Sequence, residues 1–143
     1  MSEKLDYRSD YPLSEKRPDL VNTAKGRPLD EITLEAVMSG EIGADEMRVT
    51  PEILEYQAQV AESVGRPQLA GNFRRAAELT RVSDERIMEI YNAMRPNVST
   101  REELLAIADE LENDYQASIN ASLVRDAVDA YERRGRLRQP DTA

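Results

Sequence analysis

An all-α fold is the class that the sequence predicts, on three observations. Apolar residues recur at helical spacing in successive stretches from residue 29 to about 134, and no stretch alternates with period two long enough to make a strand. The core material is also small: 143 residues include 16 alanines, one phenylalanine and no tryptophan, which suits close helix packing. Leu, Ile, Val and Phe total only 30 residues, near the composition where disorder competes with folding, so a partner surface is expected to complete the core.

Four to six helices are expected, preceded by an extended arm over residues 1–28 and followed by a short tail over 139–143, with 29–138 as the helical domain. Pro12, Pro18, Gly26 and Pro28 forbid a long regular element in the arm, and Tyr7, Tyr11, Leu13, Leu20 and Val21 give it apolar handholds. The stretch LDEITLEAVMSG, residues 29–40, has Asp30 as candidate N-cap and Gly40 as stop. Thr50-Pro51-Glu52 is a stronger start, because threonine caps, proline suits the first helical position and glutamate meets the positive dipole end; Gly65 closes that helix.

Pro67 restarts the chain. Leu69, Phe73, Ala76, Ala77 and Thr80 fall on one narrow arc at 100° per residue and form its expected core face. Ser83 or Asp84 caps the next helix, whose inward residues are expected to be Ile87, Ile90, Tyr91 and Met94, ending at Pro96. Ser99-Thr100-Arg101-Glu102 fits a capping box and opens a long pattern that reaches Arg134 before Gly135. It is expected to break near 113–118, where the stripe drifts from Leu104, Ala108, Leu111 and Tyr115 to Ile119, Leu123, Ala127 and Tyr131.

The formal net charge of −9 argues against nucleic acid and anionic membranes as partners, since both repel an acidic surface. No apolar leader or run of about 18 apolar residues is present, so the chain reads as soluble and intracellular. Histidine and cysteine are both absent, which removes the commonest general base, the commonest zinc ligand and the best nucleophile together. Asp109, Glu110, Glu112 and Asp114 lie in a helical run and read as a solvated face, and no glycine pattern cradles a phosphate. No catalytic, cofactor-binding or metal-ligating residue is therefore assigned in this chain.

The stretch NFRRAAELTRVSDERIMEIYNAMRP, residues 72–96, concentrates arginine among helix formers. Wheel geometry puts Arg75 opposite the core and Arg74 on its flank, with Glu78 as local partner, Arg81 within reach of Glu78, and Arg86 three residues before Glu89. Leu79 and Met88 lie off their core arcs. Arg74, Arg75, Leu79, Met88 and Tyr11 are therefore the candidate partner-interface residues.

The segments DYPL (10–13), LDEITLEAVMSG (29–40), MRVTPEILEYQAQVAE (47–62), NFRRAAELTRVSDERIMEIYNAMRP (72–96), STREELLAIADELE (99–112) and LVRDAVDAYERRGRLR (123–138) closely resemble the small, or gamma, subunit of adenosylcobalamin-dependent diol and glycerol dehydratases. The resemblance implies a bacterial, cytoplasmic assembly of two copies each of large, medium and small subunits. In that family the large subunit is a TIM barrel holding the substrate and an inorganic cation, and adenosylcobalamin lies between the large and medium subunits. The small subunit is helical, packs on the large one and contributes no catalytic side chain. The reaction implied is a radical dehydration of a 1,2-diol or glycerol to an aldehyde and water. The short segment before Asp10 looks more like the glycerol dehydratase form than the longer-extended form associated with bacterial microcompartments; substrate preference and encapsulation stay open. Two other readings stand beside this one: a free-standing helical adaptor, and an acidic carboxylate-only hydrolase.

Overall fold

The computed structural model describes residues 4–139. Eight α-helices and two 3-10 turns occur among these residues, with one isolated antiparallel bridge, Asn22 to Pro28, and no strand. Five of the helices have ten or more residues. The all-α expectation holds; the eight helices exceed the four to six expected because two one-turn helices, Tyr7–Asp10 and Leu13–Lys16, form in the N-terminal segment. The chain divides into two compact units, Met1–Thr80 and Arg81–Ala143.

In the first unit the N-terminal segment is a succession of single turns: α1 (Tyr7–Asp10), α2 (Leu13–Lys16) and a 3-10 turn, Pro18–Leu20. The prolines do prevent a long element, but the backbone coils rather than remaining extended, because its apolar side chains have somewhere to go. Leu5 and Leu13 are buried with Val60, and Leu20, Val21 and Tyr56 pack around them. The Leu5 N–H donates to Gln59 Oε1 at 3.1 Å and the Tyr7 N–H to Ser63 Oγ at 2.9 Å, fastening the segment at two points.

The single helix expected over 29–40 is instead a 3-10 turn, Leu29–Glu31, followed by α3 (Leu34–Met38). The cap is Thr33, whose Oγ1 accepts the Ala36 N–H at 3.2 Å, and not Asp30. Adjacent β-branched Ile32 and Thr33 disfavour a continuous helix, and a threonine hydroxyl satisfies N–H groups better at an N-cap than in a helix interior. A buried carboxylate fixes the loop after α3. Glu46, 2% exposed, accepts from Thr23 Oγ1 at 3.1 Å and Arg27 Nε at 3.0 Å, tying residues 23–27 to the 41–46 loop.

Helices α4 (Pro51–Ser63) and α5 (Pro67–Leu79) form an antiparallel hairpin. Thr50 Oγ1 caps α4 as expected, and Gly65 takes the left-handed φ of 73° needed to leave the helix. Ala58, Ala61 and Ala70 make the buried contact with Phe73 beside them, so the two backbones approach closely. The phase of α5 differs from expectation. Ala70 and Glu78 are its buried residues, while Leu69 is 39% exposed and Ala76 and Thr80 face solvent. The small Ala70 sits at the buried contact, and the larger Leu69 is displaced outward.

The second unit holds α6 (Asp84–Ala93), α7 (Arg101–Asn113) and α8 (Ser118–Arg134), the last two packed as a pair. The break at 113–118 and the left-handed Gly135, φ 61°, are where the sequence places them. The capping box is one residue later than expected: Thr100 Oγ1 accepts the Glu103 N–H and the Glu103 carboxylate accepts the Thr100 N–H. Thr100 takes the cap, and the Ser99 hydroxyl instead donates to the Ala93 carbonyl at 2.9 Å.

Leu104, Ile107, Ala108 and Leu111 of α7, with Ala121, Val124 and Val128 of α8, form the buried stripes. In α8 the expected Ile119–Leu123 line is on the outside, because Ala117 and Ala121, both fully buried, set the inward face. In α6, Tyr91 is 66% exposed rather than inward; Ile87, Ile90 and Met94 are half-buried as the wheel suggests.

Candidate interaction surface

The arginines of the 72–96 stretch have partners that lie far away in sequence. Arg74, expected to pair with Glu78 along its own helix, lies across the α4–α5 hairpin. Its Nε donates to Glu55 Oε2 at 2.9 Å, one terminal nitrogen to Glu55 Oε1 at 3.1 Å and the other to Glu62 Oε1. One guanidinium therefore fills the fork of Glu55 and reaches Glu62 two turns along α4, geometry that a lysine cannot reproduce.

Arg86 plays the same part in the second unit. It meets Glu89 at 2.7 Å, as the i+3 spacing suggests, and also grips Glu110 of α7 through Nε at 2.9 Å and a terminal nitrogen at 2.5 Å. Arg81 donates to the Tyr115 and Gln116 carbonyls, not to Glu78, and so closes the turn between α7 and α8. These arginines join helices, which answers what their density is for.

The acidic run is correspondingly not a purely solvated face. Arg125 of α8 holds Asp109 at 2.8 Å and Glu112 at 2.6 Å, while Glu110 serves Arg86. Among the described residues no three Asp or Glu side chains converge to hold a metal ion. With no imidazole in the chain, cobalt has no nitrogen ligand of the histidine type here.

Hydrogen bonds from Arg74 hold the Glu55 and Glu62 carboxyls below the usual carboxylate range, and Arg86 does the same to Glu110. Arg74 and Arg86 are raised in turn by those carboxylates. A carboxyl depressed in the folded state contributes stability above its unfolded pKa and loses it as pH falls through the folded value. No histidine or cysteine side chain titrates in between, so the melting temperature should be flat from about pH 8 to about pH 5.5 and fall below about pH 4.5. A calorimetric pH series checks this; a transition centred near neutrality would contradict it.

Of the five candidate contact residues, Tyr11, Arg74, Arg75 and Leu79 belong to the first unit and Met88 to the second. Tyr11 lies on the first unit, where its ring stacks on Tyr7 with centroids 5.4 Å apart. Arg74 is engaged inside the hairpin, and Arg75 and Leu79 are half-buried on α5. Met88 is 57% exposed on α6, close in helical phase to Tyr91.

Sequence reasoning missed a groove of about 480 Å³ on the first unit, lined by Tyr7, Tyr11, Val64, Arg66, Leu69 and Phe73 among others. Its signal is the pairing of apolar Tyr7 and Tyr11 with a misphased Leu69, visible only once α1 is docked on α4. Two smaller cavities, about 190 and 320 Å³, are lined mainly by charged and polar residues.

The protein-family model described as "Dehydratase small subunit" matches residues 7–138. A propanediol dehydratase small subunit of Salmonella typhimurium is 56% identical over 133 residues, spanning 93% of this chain and 77% of that protein. A propanediol dehydratase small subunit of Citrobacter freundii is 54% identical over the same extent. The matched span takes in the docked N-terminal turns, both arginine clamps and the α7–α8 pair, and the chain belongs to the dehydratase small-subunit family.

Proposed function

We propose that this chain is the noncatalytic small subunit of an adenosylcobalamin-dependent diol dehydratase, which converts a 1,2-diol to an aldehyde and water. The observation that carries this reading is the family match along nearly the whole chain, with relatives at 54–56% identity that are themselves named propanediol dehydratase small subunits. The local chemistry is in keeping with it, because the charged clusters are spent on joining helices.

The partners are a large and a medium subunit, two copies of each chain making a heterohexamer. Adenosylcobalamin supplies the radical chemistry and is held between the large and medium subunits, with the substrate and an inorganic cation in the large one. This chain stabilises the large subunit from outside. Its exposed apolar residues, among them Leu34, Met38, Met47, Val49, Met88 and Tyr91, are material for such contacts.

Co-expression with candidate large and medium subunits tests the reading. The chain should co-purify with a tagged large subunit in stoichiometric yield. A well-folded chain that never co-purifies, with dehydratase activity unaffected by its omission, would favour the free-standing adaptor instead.

A further inference from the structure

We infer that the groove beside Tyr7, Tyr11, Val64, Leu69 and Phe73 receives a segment of the large subunit that presents an apolar side chain next to a carboxylate. The inference rests on the small-subunit reading above and adds which surface docks and what chemistry it recognises.

The apolar half of the site is built by two fastened elements. Tyr7 N–H is held by Ser63 and the Tyr7 ring stacks on Tyr11; both line the groove together with Val64, Leu69, Phe73 and the buried Val60 and Ala61. Tyr7, Tyr11, Val64 and Leu69 all remain partly exposed around one concavity. Large apolar and aromatic residues gathered in a pocket are the usual anchors of an interface.

The carboxylate follows from charge. Arg66 lines the groove, is exposed, and makes no ion pair among the described residues, unlike Arg17, Arg27, Arg74, Arg86 and Arg125. It is also the N-cap residue of α5, a helix of 13 residues with no acidic side chain in its first turn and no side-chain cap. The guanidinium and the uncompensated positive end of the helix dipole therefore lie at the same end of the groove. On a chain of net charge −9, this local positive charge beside an apolar groove attracts an acidic segment.

The test uses the co-expressed complex with the tag on the large subunit. Leu69→p-benzoylphenylalanine, irradiated in the assembled complex, should cross-link to the large subunit. Arg66→Glu should lower retention of the small subunit about tenfold at low salt, while Arg66→Lys retains most of it. Both positions are exposed, and an unchanged far-UV circular dichroism spectrum verifies folding of each variant. A cross-link to the medium subunit or to a second copy of this chain would overturn the inference, as would full retention of Arg66→Glu. Failure of the unsubstituted chain to be retained would instead overturn the small-subunit reading, and this inference with it.

Discussion

Leu111→Ala should destabilise the α7–α8 pair by about 2–5 kcal/mol, whereas Leu123→Ala should change it by less than about 0.5 kcal/mol. Both are leucines of a helical stripe in the sequence. Leu111 is 1% exposed, so truncation removes its transfer free energy and leaves a cavity between packed helices; Leu123 is 44% exposed and leaves none. Native-state hydrogen exchange over residues 101–134 reads the opening free energy of the pair directly. Equal losses at the two positions would mean that α8 is rotated from the face described, with Ile119 and Leu123 inward.

Arg74→Ala should lower the melting temperature by several degrees and weaken retention of the chain in the complex. The substitution leaves Glu55 and Glu62 on α4 without the guanidinium that joins them to α5, and two carboxylates that had shared one cation then repel each other. Arg74→Lys should fall between, since an ammonium supplies a charge but not the fork that meets both oxygens of Glu55. Raising the salt concentration should lessen the difference between the variants. A melting temperature unchanged in Arg74→Ala would show that the small alanine contact at Ala58, Ala61 and Ala70 holds the hairpin unaided.

The parts of this fold that the sequence makes legible are those set by local chemistry. Thr50-Pro51 and Ser83 start helices because a hydroxyl meets free N–H groups within one turn, and Gly65 and Gly135 end them because each adopts a positive φ. The capping box shows how far local pattern reaches. Ser99 to Glu102 and Thr100 to Glu103 spell the same signature; in the fold Thr100 forms the box, while the Ser99 hydroxyl is turned to the Ala93 carbonyl six residues away.

Helix phase was less accessible. In α5 and α8 buried alanines, Ala70 and Ala121, help set the inward faces, so a wheel weighted toward large apolar residues turns Leu69 and Leu123 the wrong way. Arginine partners were less accessible still. The i+3 rule finds Glu89 for Arg86, but Glu110 and the Glu55–Glu62 pair are 24, 19 and 12 residues from their arginines, brought near by folding alone. The role of Arg74 and the groove of the first unit were hidden for the same reason: Arg74 is used within the hairpin, and the groove depends on the docked N-terminal turns.

Turnover per cofactor-loaded large subunit, measured in complexes carrying either the unsubstituted chain or its Arg74→Ala, Arg75→Ala double variant, tests the noncatalytic role most directly. Fewer complexes should assemble with the variant, or they should melt sooner, while kcat in those that form stays the same. Loss of kcat in fully assembled, cofactor-loaded complexes would contradict a purely structural small subunit.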